Sequence, residues 1–406
     1  MTKAANSNAA STTSEEIYCV SYLRGLAALG VVLYHVRVDL WIGFHTIREN
    51  PSLAGPLAEF AAWLSLPTAF MSSGVMLFFV ISGFCIHYPY GGPNGKPLDL
   101  QEYVVRRFFR IYPPYIVAVL FALAVQWIGY RHGFLQDLDG RDYQLSAFML
   151  QNTFGRQPDC NPALWTIPVE VAFYIFFPLV YFGLRRSWPV TLAAGLVVSL
   201  IAIASSLISP IQFSFLPYWF TWIAGATLAE QHKKGNLKQP PLWICGMGIL
   251  FFFLGLLCAW RVRVDNAPVV GGLTDLITLL DALAFGVAFT VLLWWSIVNQ
   301  RFYNRFPASM HGFLMFLGAI SYSLYLFHTP FFRLCGWVWV SWIGEKPVNY
   351  CVTFPFVILA LGVAWIAYKC IEAPAHIAGR KLAYSIKCRH AQRAQRRVEA
   401  AAKTVL

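Results

Sequence analysis

Charge is scarce in this chain: only 12% of its 406 residues are Asp, Glu, Lys or Arg, against roughly a quarter in ordinary soluble proteins. Such a sequence cannot cover its 58% hydrophobic content with polar surface, which excludes a water-soluble globule. Acidic residues are the rarer sign, 19 against 31 basic. Among the nine cysteines there is no CxxC pair and no metal-ligand spacing, so no metal is expected and no disulfide is assigned. No apolar signal-peptide core precedes Tyr22, and the polar stretch 1–19 reads as a disordered cytosolic arm. There is no GxSxG elbow. Internal repeats and low-complexity blocks are also missing, which argues against the inverted-repeat transporter plan.

What the sequence has in abundance is apolar runs, with a mean hydropathy of +0.55. The fold class this implies is all-α: a polytopic integral membrane helical bundle of about ten transmembrane helices. The expected spans are 20–41, 69–90, 110–130, 162–183, 188–209, 212–230, 241–261, 272–297, 313–336 and 348–369. They make one membrane domain, 20–372, followed by a basic cytosolic tail, 373–406. The stretch "DYQLSAFMLQNTF" is too short and interrupted to span and reads as a loop helix. With the N-terminus inside, 22 of the 31 Lys and Arg fall on the cytosolic side, so both termini are expected there. The net charge of +12 is therefore accounted for by membrane topology, and no nucleic-acid partner is expected.

Against that apolar background the ionisable residues inside the spans stand out, because each is costly in lipid and is a functional candidate. In "YLRGLAALGVVLYHV", Arg24 and His35 are eleven residues apart. On a helix that places them on one face, ~16.5 Å apart along the axis. Gly25, Ala28 and Gly30 beside them admit either another helix or a thin ligand chain. In "GVMLFFVISGFCIHYPY", Ser82 can hydrogen-bond inside a bundle. In "RRFFRIYPPY", Arg107 and Arg110 are helical neighbours suited to bidentate phosphate recognition, and Pro113 and Pro114 then break or start a helix. Glu170 lies deep in "NPALWTIPVEVAFYIFFPL" and needs an arginine or histidine partner. "GAISYSLYLFHTPFF" supplies Ser321, Tyr325 and His328, and "IEAP" supplies Glu372. Taken singly, each also fits a structural role: a snorkelling arginine, a lipid anchor, an interhelical ion pair or interhelical glue.

Taken in order, these pieces resemble the membrane-bound acyltransferase 3 family. The resemblance runs from Tyr22 to about Pro374 and rests on Arg-x10-His, "FFVISGF", "RRFFRIYPPY", "LWTIPVEVAFY" and "SYSLYLFH". It departs from the family at Val171 and Ala172, where a polar pair often follows the acid, and at Pro168. With only a basic tail after the last span, the chain looks like the stand-alone form, without the periplasmic SGNH domain that many members carry. The resemblance implies ten helices and O-acylation of glycans or small molecules. It implies that Arg24 and His35 are the essential pair, that Arg107 and Arg110 are the RxxR motif, and that Glu170 is the buried acid.

The mechanism expected on this basis is acyl transfer from acyl-CoA, most often acetyl-CoA in that family, to a hydroxyl. His35 is the general base, with Arg24 and Glu170 as the other catalytic candidates. Arg107, Arg110, Arg24 and Ser82 would bind the acyl-CoA, whose arm would run past Arg24 toward His35. Substrate contacts are assigned to Asp39, Trp165, Tyr325 and His328, with Asp39 also able to orient the imidazole. The expected acceptor is a cell-surface or periplasmic glycan, and the expected location is the bacterial inner membrane. A lipid-linked or small-molecule alcohol is the alternative acceptor. A proton-coupled transporter or an acyl exporter is the alternative class.

Overall fold

A computed structural model describes residues 17–50, 52, 54–137, 140–208, 214–264 and 272–405, with side chains through 389 and at 392. The helices are α1 (Tyr18–Asp39), α2 (Phe44–Glu49), α3 (Pro56–Leu64), α4 (Gly74–His87), α5 (Leu100–Arg131), α6 (Gly140–Ala147), α7 (Gln151–Phe154) and α8 (Thr166–Ser205). They continue with α9 (Trp219–Lys233), α10 (Leu242–Arg263), α11 (Gly272–Val298), α12 (Gln300–Tyr303), α13 (Ala308–Ile343), α14 (Phe354–Ala367) and α15 (Ala373–Val405). Among the described residues there is no strand, so the expected all-α membrane bundle is what the chain forms.

Eight helical stretches are long and apolar enough to cross a bilayer, against ten expected, and the difference has two physical causes. The expected spans 162–183 and 188–209 belong to one stretch, Pro162–Ser205, broken by extended backbone at Ser187 (φ −159°, ψ 100°). The expected span 212–230 forms α9, whose 15 residues fall short of the ~20 that cross unaided. Residues 1–16, 209–213 and 265–271, which hold most of the expected arm and parts of two connections, lie outside the described residues.

The lipid-facing surface is apolar. Ile175, Leu179, Phe182, Ile201, Leu250, Phe253 and Leu257 are all exposed, as helices solvated by acyl chains require. Inside, close crossings use small residues. A Cβ on Gly25 would stand 2.7 Å from the Gly318 nitrogen on α13. On α4, a Cβ on Gly83 would stand 2.0 Å from the Trp222 carbonyl oxygen of α9. The space beside Gly25 is thus filled by a helix, which settles one of the two occupants the sequence left open.

The helix carrying the RxxR pair starts earlier than expected. Asp99 Oδ1 caps α5 by accepting from the Gln101 and Glu102 amides at 3.0 and 3.1 Å, a standard N-cap. Pro113 and Pro114 consequently lie inside α5 and neither start nor end it. The Tyr322 hydroxyl donates to the Ile111 carbonyl at 3.0 Å just before them, the kind of neighbouring support that lets a membrane helix carry proline. At the other end of the chain, α14 runs through a π turn, Tyr368–Glu372, into α15 without interruption. The boundary expected at 372 therefore falls within one helical rod, and α15 packs along α5.

Candidate active site

The ionisable residues singled out above gather in two adjoining places. The first is a cavity of about 180 Å³ enclosed by α4, α5, α8 and α13. From α1 only Arg24 reaches it. Arg107 and Arg110 stand at one end, and Val75, Phe78, Thr166 and Tyr325 line the other. On α4 the lining runs from Ile86 to Val75, eleven residues or ~16.5 Å of helix.

Glu170 hangs into this cavity from α8. Its Oε1 accepts from Ser82 Oγ at 3.1 Å and from the Tyr174 hydroxyl. Trp222 Nε1 in turn donates to Ser82 Oγ at 3.3 Å. Ser82 therefore positions the acid as well as lining the cavity. Arg24 donates to the Gly318 carbonyl at 3.0 Å, and its buried Nε has no partner.

The two RxxR arginines differ. Arg110 Nη1 lies 2.8 Å from Glu372 Oε1 and 2.8 Å from His376 Nε2, and Glu372 Oε2 accepts from Ser323 Oγ at 2.7 Å. Arg107 stacks over the rings of Tyr103 and Tyr174 at 5.7 and 5.5 Å. Among the described residues no carboxylate lies within ion-pair distance of it, and its Nε is buried without a partner. The guanidinium available for an incoming anion is Arg107, while Arg110 is already neutralised.

The second place is a histidine pair. His328 Nε2 stands 3.1 Å from His35 Nδ1. His328 Nδ1 is 3.0 Å from the Leu324 carbonyl, and His35 Nδ1 is 2.9 Å from the Val31 carbonyl. Carbonyls only accept, so each Nδ1 carries a hydrogen when the rings are neutral. His328 Nε2 is then an acceptor, and Thr329 Oγ1, 3.1 Å away, donates to it. One tautomer follows for His35: Nδ1 protonated, Nε2 bearing the free lone pair. A general base needs that arrangement.

His35 does not line the cavity. Tyr325 stands between the two places, lining the cavity while its ring centroid is 5.9 Å from that of His328. The ring centroid of Phe78, which also lines the cavity, lies 5.7 Å from that of Tyr325. Tyr325 is fixed by donating to the Ala163 carbonyl at 2.9 Å and accepting from Thr166 at 2.9 Å. Trp165 packs instead against Phe79 and Tyr218. Asp39 pairs with Arg333 at 3.5 Å, so the orientation of His35 comes from Val31 and His328 and not from Asp39. Beyond the spans, the Cys160 thiol is pushed up to about 11 by burial, which removes it as a nucleophile.

Sequence reasoning missed His376 and Arg380, which read as part of the basic tail, and Arg333, which lies within the expected span 313–336, and it missed the contact of His328 with His35. The one available signal for that contact was a second histidine in an apolar helix. With this geometry in view, the comparisons define the class: the chain belongs to the acyltransferase 3 family, whose acyltransferase-domain model matches residues 17–369. Among curated relatives, O-acetyltransferase OatA of Staphylococcus aureus is 26% identical over 413 aligned positions, covering 90% of this chain and 59% of that protein. "Putative acetyltransferase ORF330" of Acidianus two-tailed virus is 24% identical over 344, covering 83% of this chain and 89% of that protein. The chain thus spans little more than half of the Staphylococcus relative. No solved structure matches. This is a multi-pass membrane acyltransferase.

Proposed function

We propose that this protein transfers an acyl group, most often acetyl, from cytosolic acyl-CoA to a hydroxyl of a periplasmic or cell-surface glycan, working from the cytoplasmic membrane with both termini inside. One observation carries the reading. A narrow cavity has a free guanidinium at one end, and at the other a tyrosine wall beyond which a base-competent histidine sits. A phosphorylated donor with a long, thin, uncharged arm suits that shape. The phosphates stay with Arg107, and the thioester reaches Tyr325. The acceptor hydroxyl gives its proton to His35 Nε2 as its oxygen attacks the thioester carbon. The carbon–sulfur bond breaks, and CoA leaves as thiolate, to be protonated on the cytosolic side. Arg24, with its unpartnered Nε, is placed to stabilise negative charge along the arm. The family's relatives named for O-acetylation support an oxygen acceptor and an acetyl donor for this chain.

A second reading has a specific observation behind it. Because His35 lies outside the cavity, the chain could pass the acyl group outward to a separate enzyme. The deciding measurement uses the purified protein in vesicles with labelled acetyl-CoA, together with mass spectrometry of envelope glycans with and without the gene. Transfer or thioester cleavage by the protein alone, and an alkali-labile acetyl mass lost on deletion, support direct transfer. An intact thioester in the presence of acceptor refutes it.

A further inference from the structure

The start of α5 and the C-terminal rod enclose a groove of which the activity described so far uses only Arg107. Four arginines and one histidine take part in lining it: Arg106, Arg107, Arg110, His376 and Arg380, with Gly379 among them. Its volume is about 290 Å³. Gly379 sets the geometry. A Cβ there would stand 2.5 Å from Phe109 Cβ, so any larger residue would push α15 away from α5. His376 and Arg380 are four apart on α15 and so share the face toward the groove.

The charges in this groove do not balance. Glu102 answers Arg106 at 2.7 Å and Glu372 answers Arg110 at 2.8 Å. For Arg107 and Arg380 no carboxylate lies within ion-pair distance among the described residues. Two uncompensated guanidiniums therefore face one groove, and that groove shares Arg107 and Arg110 with the inner cavity. A ligand occupying both spaces has a polyanionic end and a thin neutral extension.

We propose that the C-terminal helix completes the donor site, with Arg380 and Arg107 holding phosphates of the nucleotide end of acyl-CoA while the acyl-bearing arm enters the cavity. The proposal rests on the acyl-CoA reading above and adds to it a phosphate subsite built from a segment that reads by sequence as an anchoring tail. Guanidinium is the suitable group, since it meets phosphate through two parallel N–H donors. An anionic lipid headgroup offers the same phosphate chemistry, but it has no thin neutral arm to occupy the cavity behind it.

The test measures equilibrium binding of CoA and of acetyl-pantetheine to the full-length protein in nanodiscs of neutral phosphatidylcholine, for wild type, Arg380→Gln and Arg380→Lys. Arg380 is exposed, so these variants keep the packing of α15. Arg380→Gln should weaken CoA about tenfold, as loss of one charge-assisted phosphate contact does, and lysine should recover part of it. Acetyl-pantetheine, which has no nucleotide phosphates, should bind all three proteins equally. Unchanged CoA affinity in Arg380→Gln overturns the proposal. If retention of phosphatidylglycerol by the protein falls in that variant while CoA affinity does not, the groove is a lipid site, which also overturns it. If wild-type protein binds neither CoA nor acetyl-CoA, the donor reading itself fails and the proposal falls with it, a result separable from a variant-specific null.

Discussion

Replacing Arg110 by methionine should separate the two halves of the RxxR pair. Arg110 Nη1 is 2.8 Å from Glu372 Oε1, and the Glu372 side chain is fully buried. Methionine keeps most of the stem but removes the charge. Glu372 would be left with the Ser323 hydroxyl, 2.7 Å from its other oxygen. Breaking a buried ion pair from one side costs about 3–5 kcal/mol, while replacing both partners by apolar groups is often close to neutral. Arg110→Met should lose about that much, and adding Glu372→Leu should restore most of it. Arg107 makes a sharp contrast. Its loss removes two ring contacts at 5.7 and 5.5 Å, each worth about 0.5–1 kcal/mol, and strands no carboxylate. Unfolding of the purified proteins in mixed micelles, read as a double-mutant cycle, gives all four numbers. If Glu372→Leu fails to rescue Arg110→Met, or if Arg107→Met is as damaging as Arg110→Met, the assignment of Arg110 as neutralised and Arg107 as free is wrong.

Other expectations follow from the same geometry. Arg107→Ala should raise KM for acyl-CoA more than it lowers kcat, and an unchanged KM would remove it from donor binding. His35→Gln should lose about 10²–10⁴-fold in transfer while still binding acyl-CoA, and near wild-type transfer by a folded variant would take His35 out of the mechanism. In wild type, transfer should fall on acidification, because a protonated imidazole has no lone pair to accept with, and a rate that does not fall at any acidic pH at which the protein stays folded would contradict that role. His328→Phe removes the acceptor facing His35 Nδ1 and should lower kcat at least about tenfold and move the acid limb of the pH profile, whereas an unmoved limb would make His328 merely structural. Reporter fusions at residue 145 should report outside and at 235 and 389 inside, and a periplasmic signal at 389 would reverse the direction of transfer.

The fold was legible because lipid imposes a simple code. Apolar length located every stretch long and apolar enough to cross a bilayer, though not the helical form of the tail, and the break at Ser187 fell in the expected gap between two spans. Helix ends were less legible. Asp99 starts α5 well before the apolar run, since a cap depends on one side chain and not on hydropathy. At the site, one-dimensional spacing found Arg24, His35, Glu170 and the RxxR pair but could not say who meets whom. The ~16.5 Å spacing of Arg24 and His35 suggested a single path along α1, yet the cavity follows α4. The polar partners these residues meet, His328 for His35 and Glu372 for Arg110, lie 293 and 262 residues away in sequence. Only the α1–α13 and α5–α15 packing brings them near.

The tyrosine wall has a consequence for the cell. A pore open from the arginines to His35 would connect two aqueous compartments through the bilayer. Every elementary charge crossing it would dissipate about 2.3 kcal/mol per 100 mV of membrane potential. Tyr325, held between Ala163 and Thr166 with Phe78 near its ring, stands in that path and, under the proposed function, would keep the two sides electrically separate. In the proposed transfer the acceptor oxygen takes the acyl carbon at this wall as the carbon–sulfur bond breaks, so no ion has to cross with it. The membrane would then stay energised through each turnover.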